Sequence, residues 1–504
     1  MTGAAKRMSK HFSKSTPLIL LFGTAIILYC SVKASLASFT HDESFSYLNY
    51  IHTGFMDILS FKNWYTNNHI LNSLFMKYSE VLFGTSEIAL RLPNLILFVV
   101  FLTYSFLLFR KTDPTIQIGI FLLLCTNPSI TDFFALARGY GLSFGFMFMS
   151  LYHFIRYFDK RQTKHILLFH AGALLAVLSS FPLLHFYIML LVIYNAMDLI
   201  ECKIVSPKKY NFLSSNKVNM LPLLLVAMLL FEPIRRVLTN SQLDFGGKNG
   251  FYNDTVTSLI KIALHDLELS STALTAVQVL FTGIIVIPFF GILRMLLKKN
   301  ADFFVRHKGL VISNLLLIFI AVAIILQHII LKADYPIARF SLFMLLLFIV
   351  HLGFFLGYIS LFYRRGVSIF VLALAVVPLF GFVRNADLYS CSEWGYERDT
   401  KNMILKLTEY HGNSSTDMDT VTLGTHWLFE PTINFYRHTR KLDWLSAPDR
   451  NGITADDYYY MFNEDWKKMA PEKYQLIAEF PLSNTVLLKS CPNCPVTKSI
   501  LHPD

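Results

Sequence analysis

Charge is what this sequence has least of. Only 16% of its 504 residues are Asp, Glu, Lys or Arg. That is too few to cover a soluble protein of this length, so a water-soluble globular chain is excluded and a multispanning membrane protein is implied. Cysteine is also sparse: six residues, scattered, with only Cys491 and Cys494 close together. A disulfide framework and a zinc-ligand spacing are thereby excluded. The CPNC stretch reads as a local disulfide, permitted outside the cytoplasm, or as nothing of note. Internal repeats and low-complexity tracts are lacking too. The formal charge of +11 does not point to nucleic acid. The Lys and Arg residues sit in short loops between apolar runs, where they report topology.

What the chain has in quantity is apolar: 54% hydrophobic residues, 46 of the 504 being Phe. Reading for spans of about 20 apolar residues gives about eleven transmembrane helices, near 17–38, 87–109, 114–128, 133–155, 166–181, 183–200, 218–234, 271–293, 309–331, 338–361 and 367–384. The basic N-terminus (KRMSKHFSK), RYFDKRQTKH, KIVSPKKY, RMLLKKN and YRRG all fall on one side, which the positive-inside rule makes cytoplasmic. The first helix ends in ASLAS, a small-x-small pattern like a signal-peptide site. Its apolar run is longer than such a signal uses, and an uncleaved helix is expected. The fold class is therefore a polytopic α-helical membrane protein with a cytoplasmic N-terminus. Residues 1–384 form the membrane domain, with a long outer loop at 39–86. Residues 385–504 are polar and rich in Tyr, Trp and Asp, and read as a small α/β domain on the outer face. TVTLGTHWLF and NTVLLKS alternate as strands do, whereas DTKNMILKLTEYH and EDWKKMAPEKY read as helices.

The outer face carries the chemistry. SFTHDESFSY places Asp42 and Glu43 directly after the first helix. Taken alone, the pair reads as a solvated helix end. Asp132, Arg138 and Tyr140 lie in SITDFFALARGYG, with Arg138 expected about a turn and a half inside the fourth helix, where an unpaired guanidinium is costly. His185 and Tyr187 lie at the next outer turn, and Lys332, Asp334, Tyr335 and Arg339 in LKADYPIARF. Each has a bland reading, as a structural pair, an interfacial histidine or an anchor. Together they form one mixed-charge cluster spread over four outer loops. Such a cluster suits transfer of a sugar from a lipid phosphate. The leaving phosphate needs positive charge, and the acceptor hydroxyl needs a carboxylate base. A second carboxylate can hold a divalent metal or orient the acceptor.

HDESFSY resembles the acidic first-loop motif of type C integral-membrane glycosyltransferases. The layout is most similar to the branch of protein O-mannosyltransferases and lipid A aminoarabinose transferases. NNHILNSL, SEIALRLPNLI, FALARGYGLSFGF and ADYPIARFSLFMLLLF follow in that branch's order, although HILN departs from the branch's H-P-P-L run. The resemblance implies Asp42 as catalytic base with Glu43 orienting or ligating. It implies Asp132 as a second acidic group and metal ligand, with Mg or Mn as the candidate divalent cation. Arg138 and Arg339 would bind the carrier phosphate. His69, Tyr140, Lys332 and Tyr335 would line the substrate site. It also implies a polyprenyl-phosphate-linked sugar donor, a lipid, glycan or protein acceptor, inversion at the anomeric carbon and a bacterial plasma (inner) membrane. Two other classes compete. A lipid-linked sugar transporter or flippase would show repeats and midplane charges. A non-catalytic receptor would leave the carboxylate–arginine cluster without a task. The glycine loop LDFGGKNGFYND reads as a surface loop or a close backbone approach to a ligand.

Overall fold

The computed structural model describes residues 3–65, 67–240, 246–264, 267, 269–413, 420–451, 455–468 and 473–491. The chain divides into two compact units. A helical unit comprises Met1–Ser31, Gly54–Phe75 and Leu92–Ala386, and a mixed unit comprises Val32–Thr53, Met76–Arg91 and Asp387–Asp504.

The helices up to residue 385 are α1 (Gly3–Leu36), α2 (His41–Ser46), α3 (Phe55–Leu59), α4 (Ile70–Phe83), α5 (Glu87–Phe109), α6 (Pro114–Cys125), α7 (Pro128–Phe134), α8 (Gly139–Lys160), α9 (Thr163–Ser179), α10 (Leu183–Ile200), α11 (Phe212–Thr239), α12 (Thr257–Ala263), α13 (Ser271–Leu297), α14 (Ala301–Arg306), α15 (Lys308–Leu331) and α16 (Leu342–Asn385). Among the described residues six are long and apolar enough to cross a membrane, or seven if the pair α6 and α7, bent by 68°, is one span. The chain is thus an integral multi-pass membrane protein. Every expected segment contains a helix, but about eleven is more than length and composition certify: α9, for instance, has only 17 residues. At about 1.5 Å per residue, the 44 residues of α16 are roughly twice as long as a bilayer core is thick. Its backbone breaks at Tyr363 (φ −130°, ψ 53°), within the YRRG stretch expected to separate two helices.

Two expectations need correction. The stretch 39–86 is not a loop: it holds α2, α3, α4 and a π-helical turn at Tyr47–Ile51. Nor does the fourth span begin at 133. The chain leaves helical geometry after Phe134, and α8 starts at Gly139 with Arg138 as its extended N-cap (φ −129°, ψ 150°). Two glycines in RGYG are the reason, because backbone from neighbouring segments passes where their side chains would be. A Cβ on Gly139 would lie 2.0 Å from the Ser179 carbonyl oxygen, and one on Gly141 would lie 2.3 Å from that of Phe133.

In the mixed unit the C-terminal segment adds α17 (Thr400–Asn413), α18 (Glu430–Thr439) and α19 (Asn463–Trp466) to strands β1 (Leu423–Thr425), β2 (Tyr458–Phe462), β3 (Tyr474–Phe480) and β4 (Thr485–Ser490). The sheet order is β1-β2-β4-β3. β1 runs parallel to β2 with Leu423 opposite Tyr458, and the other pairs are antiparallel, Tyr459 facing Leu488. Tyr459, Met461, Val486 and Leu488 make a buried cluster on which Trp466 and Tyr474 pack. This unit does not start at residue 385 alone: the HDE segment belongs to it. The Tyr436 hydroxyl accepts from the Phe39 amide at 2.9 Å, Ser38 Oγ donates to the Arg398 carbonyl at 3.0 Å, and Lys401 pairs with Glu87 at 2.9 Å. The CPNC stretch runs out of the described residues after Cys491.

Candidate active site

The HDE motif is built around a buried arginine. Thr40 caps α2. Its hydroxyl accepts from the Glu43 amide, and the Glu43 carboxylate accepts from the Thr40 amide at 2.9 Å, the reciprocal pattern of a capping box. The same carboxylate is held by Arg91, from Nε to Oε1 at 2.8 Å and from Nη2 to Oε2 at 2.7 Å. The other N–H groups of Arg91 reach the carbonyls of Ala34, Ala37 and Ser38 at 2.8–3.0 Å. All five guanidinium donors are thereby used, and both side chains are 0% exposed. Phe39 lies under the guanidinium, 5.2 Å from Cζ to the ring centroid. The arginine of the R-L-P element thus ties the start of α5 to the end of α1 and to α2. The resemblance rests in part on that element but gives Arg91 itself no role. The signal was there: a guanidinium at the head of an apolar helix needs a partner.

Asp42 precedes Glu43 on α2 and is only partly buried. Its carbonyl accepts from Ser46 Oγ at 2.9 Å. His41 turns to the C-terminal segment, with Nδ1 2.8 Å from the Leu428 carbonyl and its ring edge-on to the exposed Trp427. Behind the motif, Glu397 is buried between the hydroxyls of Thr400 and Thr432, at 2.6 and 2.7 Å. Burial, aided by the negative charge of Glu43, pushes its carboxyl up to about 8.

In the helical unit, four of the expected residues converge. His69 immediately precedes α4 and packs edge-on against Tyr140, with ring centroids 4.9 Å apart. Asn72, one turn on, donates to the Ala137 carbonyl at 2.8 Å and accepts from Asn94 at 3.3 Å. The non-helical stretch that presents Arg138 is fixed in this way. Arg138 is 1% exposed and donates from Nη1 to the Asn67 carbonyl at 3.2 Å. Arg339 lies on a 3₁₀ turn at Ala338–Phe340 with its guanidinium beside the Phe340 ring. Burial first, then the charges of Arg138 and Arg339, hold the His69 imidazole well below its ordinary pKa, so it is neutral near pH 7. One ring nitrogen hydrogen-bonds the Ser179 backbone, and Nε2 has no partner among the described residues. A neutral ring donating to a carbonyl leaves the second nitrogen as an acceptor.

His69 and Tyr140 line a cavity of about 310 Å³ together with Asn68, His185, Gln327 and Asp334 and an apolar wall from α11 and α15. Oδ2 of Asp334 is also buried without a partner among the described residues. Asn68 and Gln327 were not foreseen, because a single neutral polar residue carries no distinctive pattern.

The other expected residues are placed elsewhere. Lys332 is the exposed C-cap of α15 in left-handed geometry (φ 57°) and does not line the cavity. Tyr335 stacks on His328 at 4.2 Å, and its backbone forms a two-hydrogen-bond bridge with Gly247. The glycine loop thus approaches the backbone of the Tyr335 segment closely: a Cβ on Gly246 would lie 2.3 Å from the Tyr335 carbonyl oxygen. Tyr187 bonds His170 at 2.7 Å. Asp132 is buried on α7. For a divalent cation the donor set does not fit. Glu43 has both oxygens on Arg91, and no three His, Cys, Asp or Glu side chains among the described residues form a metal-holding group. No chemical step is assigned to a metal.

Fold and site together define a multi-pass helical membrane protein with an arginine-flanked cavity in its helical unit and a buried Arg–Glu pair under an acidic motif in its mixed unit. No protein-family model and no curated protein matches the chain. Solved structures do resemble it. ArnT from Cupriavidus metallidurans bound to undecaprenyl phosphate is 11% identical, with 95% of this chain and 99% of that chain covered and a TM-score of 0.49. Its apo form gives 12% identity, the same coverage and 0.47. The Archaeoglobus fulgidus oligosaccharyltransferase AglB, in complex with an inhibitory peptide and a dolichol-phosphate, gives 11%, 94% and 75% coverage and 0.42. At such identities these likenesses assign no role to any residue here.

Proposed function

We propose that the protein is a membrane glycosyltransferase that moves a sugar from a polyprenyl-phosphate carrier to a lipid, glycan or protein acceptor on the face opposite the basic loops. The observation that carries this reading is the pair of guanidiniums, Arg138 and Arg339, acting on a buried neutral histidine at a largely apolar cavity. Two cations acting on a histidine in the lining of a largely apolar cavity suit an anionic group that arrives with a hydrocarbon chain. A phosphate leaving group needs that charge more than it needs an acid. His69, with Nε2 as acceptor, suits a hydroxyl of the sugar.

Asp42 is the proposed base, taking the proton of the acceptor nucleophile as that atom attacks the anomeric carbon and the phosphate departs. Direct displacement inverts the centre. Glu43 positions rather than reacts: clamped by Arg91 and Thr40, it fixes α2 and with it Asp42. The test follows radiolabelled polyprenyl-phosphate sugars in membranes carrying wild type or Asp42→Asn at matched expression. Wild type should move label out of the donor lipid, and the variant should be slower by about 10²–10⁴-fold. Equal transfer by both removes Asp42 from the chemistry. No transfer with any donor, but donor movement between leaflets, points to a flippase instead.

A further inference from the structure

A second and larger cavity, of about 1170 Å³, lies at the other end of α8. Tyr140 lines the first cavity and Arg156 the second, and sixteen residues of helix at about 1.5 Å each put them roughly 24 Å apart. The second cavity belongs to the face that carries the basic loops, which the positive-inside rule assigns to the cytoplasm. Its rim holds Arg110, Lys111, Arg156, Arg306, Lys308 and Arg364 against only two acids, Asp113 and Asp159.

The internal pairing leaves positive charge over. Arg364 takes Asp113 at 2.7 Å, Arg156 and Lys308 share Asp159 at 3.2 and 3.6 Å, and Arg306 turns to Asp302. Arg110 and Lys111 make no hydrogen bond or ion pair among the described residues. A second observation is independent of charge. Gln117 lines the same cavity and is 3% exposed. Its Oε1 accepts from Ser15 at 2.7 Å, while its Nε2 has no partner among the described residues. A buried donor left unsatisfied is costly, and an acceptor oxygen would relieve it. Leu107, Leu108 and Phe354 make the remaining wall apolar.

From these features we infer that the cavity binds a phosphate-bearing anion, the headgroup of an acidic phospholipid. Basic cations at its mouth take the phosphate, the Gln117 amide donates to a headgroup or ester oxygen, and the apolar wall takes the start of the acyl chains. Basic pockets between membrane helices are suited to such headgroups.

The test uses the full chain in mild detergent and native mass spectrometry with phosphatidylglycerol or phosphatidylcholine added. Wild type should retain phosphatidylglycerol in preference, with the preference falling as salt rises. Arg110→Ala/Lys111→Ala should weaken that retention about tenfold or more, and Gln117→Met, which keeps the volume and removes the donor, by severalfold. In phosphatidylcholine nanodiscs, inorganic phosphate or ATP is then added and the melting temperature followed. Stabilisation of wild type but not of the double variant, without preferential retention of phosphatidylglycerol, makes the source a soluble phosphate and keeps the ligand class. Equal retention of both lipids by wild type and variant, with no response to phosphate or ATP, overturns the assignment.

Discussion

Replacing Arg91 by Ala tests the architecture of the acidic motif most directly. The change removes five hydrogen bonds, two to Glu43 and three to the carbonyls of Ala34, Ala37 and Ser38. It also leaves the Glu43 carboxylate, 0% exposed, without its counter-charge. Breaking a buried pair in this way costs about 3–5 kcal/mol, a large share of the stability of an ordinary domain. Arg91→Ala should therefore unfold the mixed unit at markedly lower temperature in detergent, and transfer should fall with it because α2 loses its anchor. The double variant Glu43→Gln/Arg91→Met separates charge from packing. Gln keeps the cap to Thr40 and carries no charge, and Met fills part of the volume, so the double variant should recover the part of the loss that comes from the uncompensated carboxylate. What remains is the cost of the carbonyls of Ala34, Ala37 and Ser38 left without donors. Arg91→Lys should fall in between, since three donors on a point charge cannot replace a five-donor fork. If Arg91→Ala melts within about 0.5 kcal/mol of wild type, a size usual for neutral surface changes, the pair is not the buried clamp described here.

Further predictions follow from single positions. Gly139→Ala would put a Cβ 2.0 Å from the Ser179 carbonyl and 2.6 Å from His69 Cγ. It should cost about 1–3 kcal/mol by overpacking and raise the donor KM. Gly291→Ala, whose Cβ meets nothing within 4 Å, is the control and should be neutral or slightly stabilising; equal effects at the two sites would remove the steric argument. Arg138→Lys should weaken donor binding about tenfold or more through loss of the planar fork, read as a rise in KM larger than the fall in kcat, whereas an unchanged KM would take Arg138 out of phosphate binding. Glu397 gives a pH test. Its carboxyl is raised from 4.5 to about 8, so the folded state keeps a proton that the unfolded state has lost. The stability that Glu397 contributes is then complete below pH 4.5 and falls by about 1.4 kcal/mol per unit as pH rises towards 8. Glu397→Gln, isosteric with the protonated acid, should flatten the dependence of melting temperature on pH across that window; parallel curves for variant and wild type would show that Glu397 is ionised.

The membrane class was legible because it rests on bulk composition: apolar runs and basic loops survive any uncertainty about helix ends. Within the candidate site, sequence could single out only residues whose type was out of place in its setting. Arg138 in an apolar run and Asp42 beside Glu43 are such cases. Role assignment was less secure, because chain neighbours need not share a task. Asp42 and Glu43 are adjacent, yet one helical step separates a partly buried carboxylate from one buried completely on an arginine 48 positions away. Adjacency suggested a catalytic pair; a helix turns successive side chains about 100° apart and makes one of them structural. Nor could the alternation of apolar and polar residues reveal that RGYG breaks a helix, since the cause lies in backbone that arrives from Phe133 and Ser179. The lesson holds for Lys332 and Tyr335 as well. Both sit in the motif that carries Arg339, but a left-handed cap and a stacked histidine take them out of the cavity that Arg339 influences. A short motif marks where the backbone must take one course, and only some of its side chains are thereby delivered to the chemistry.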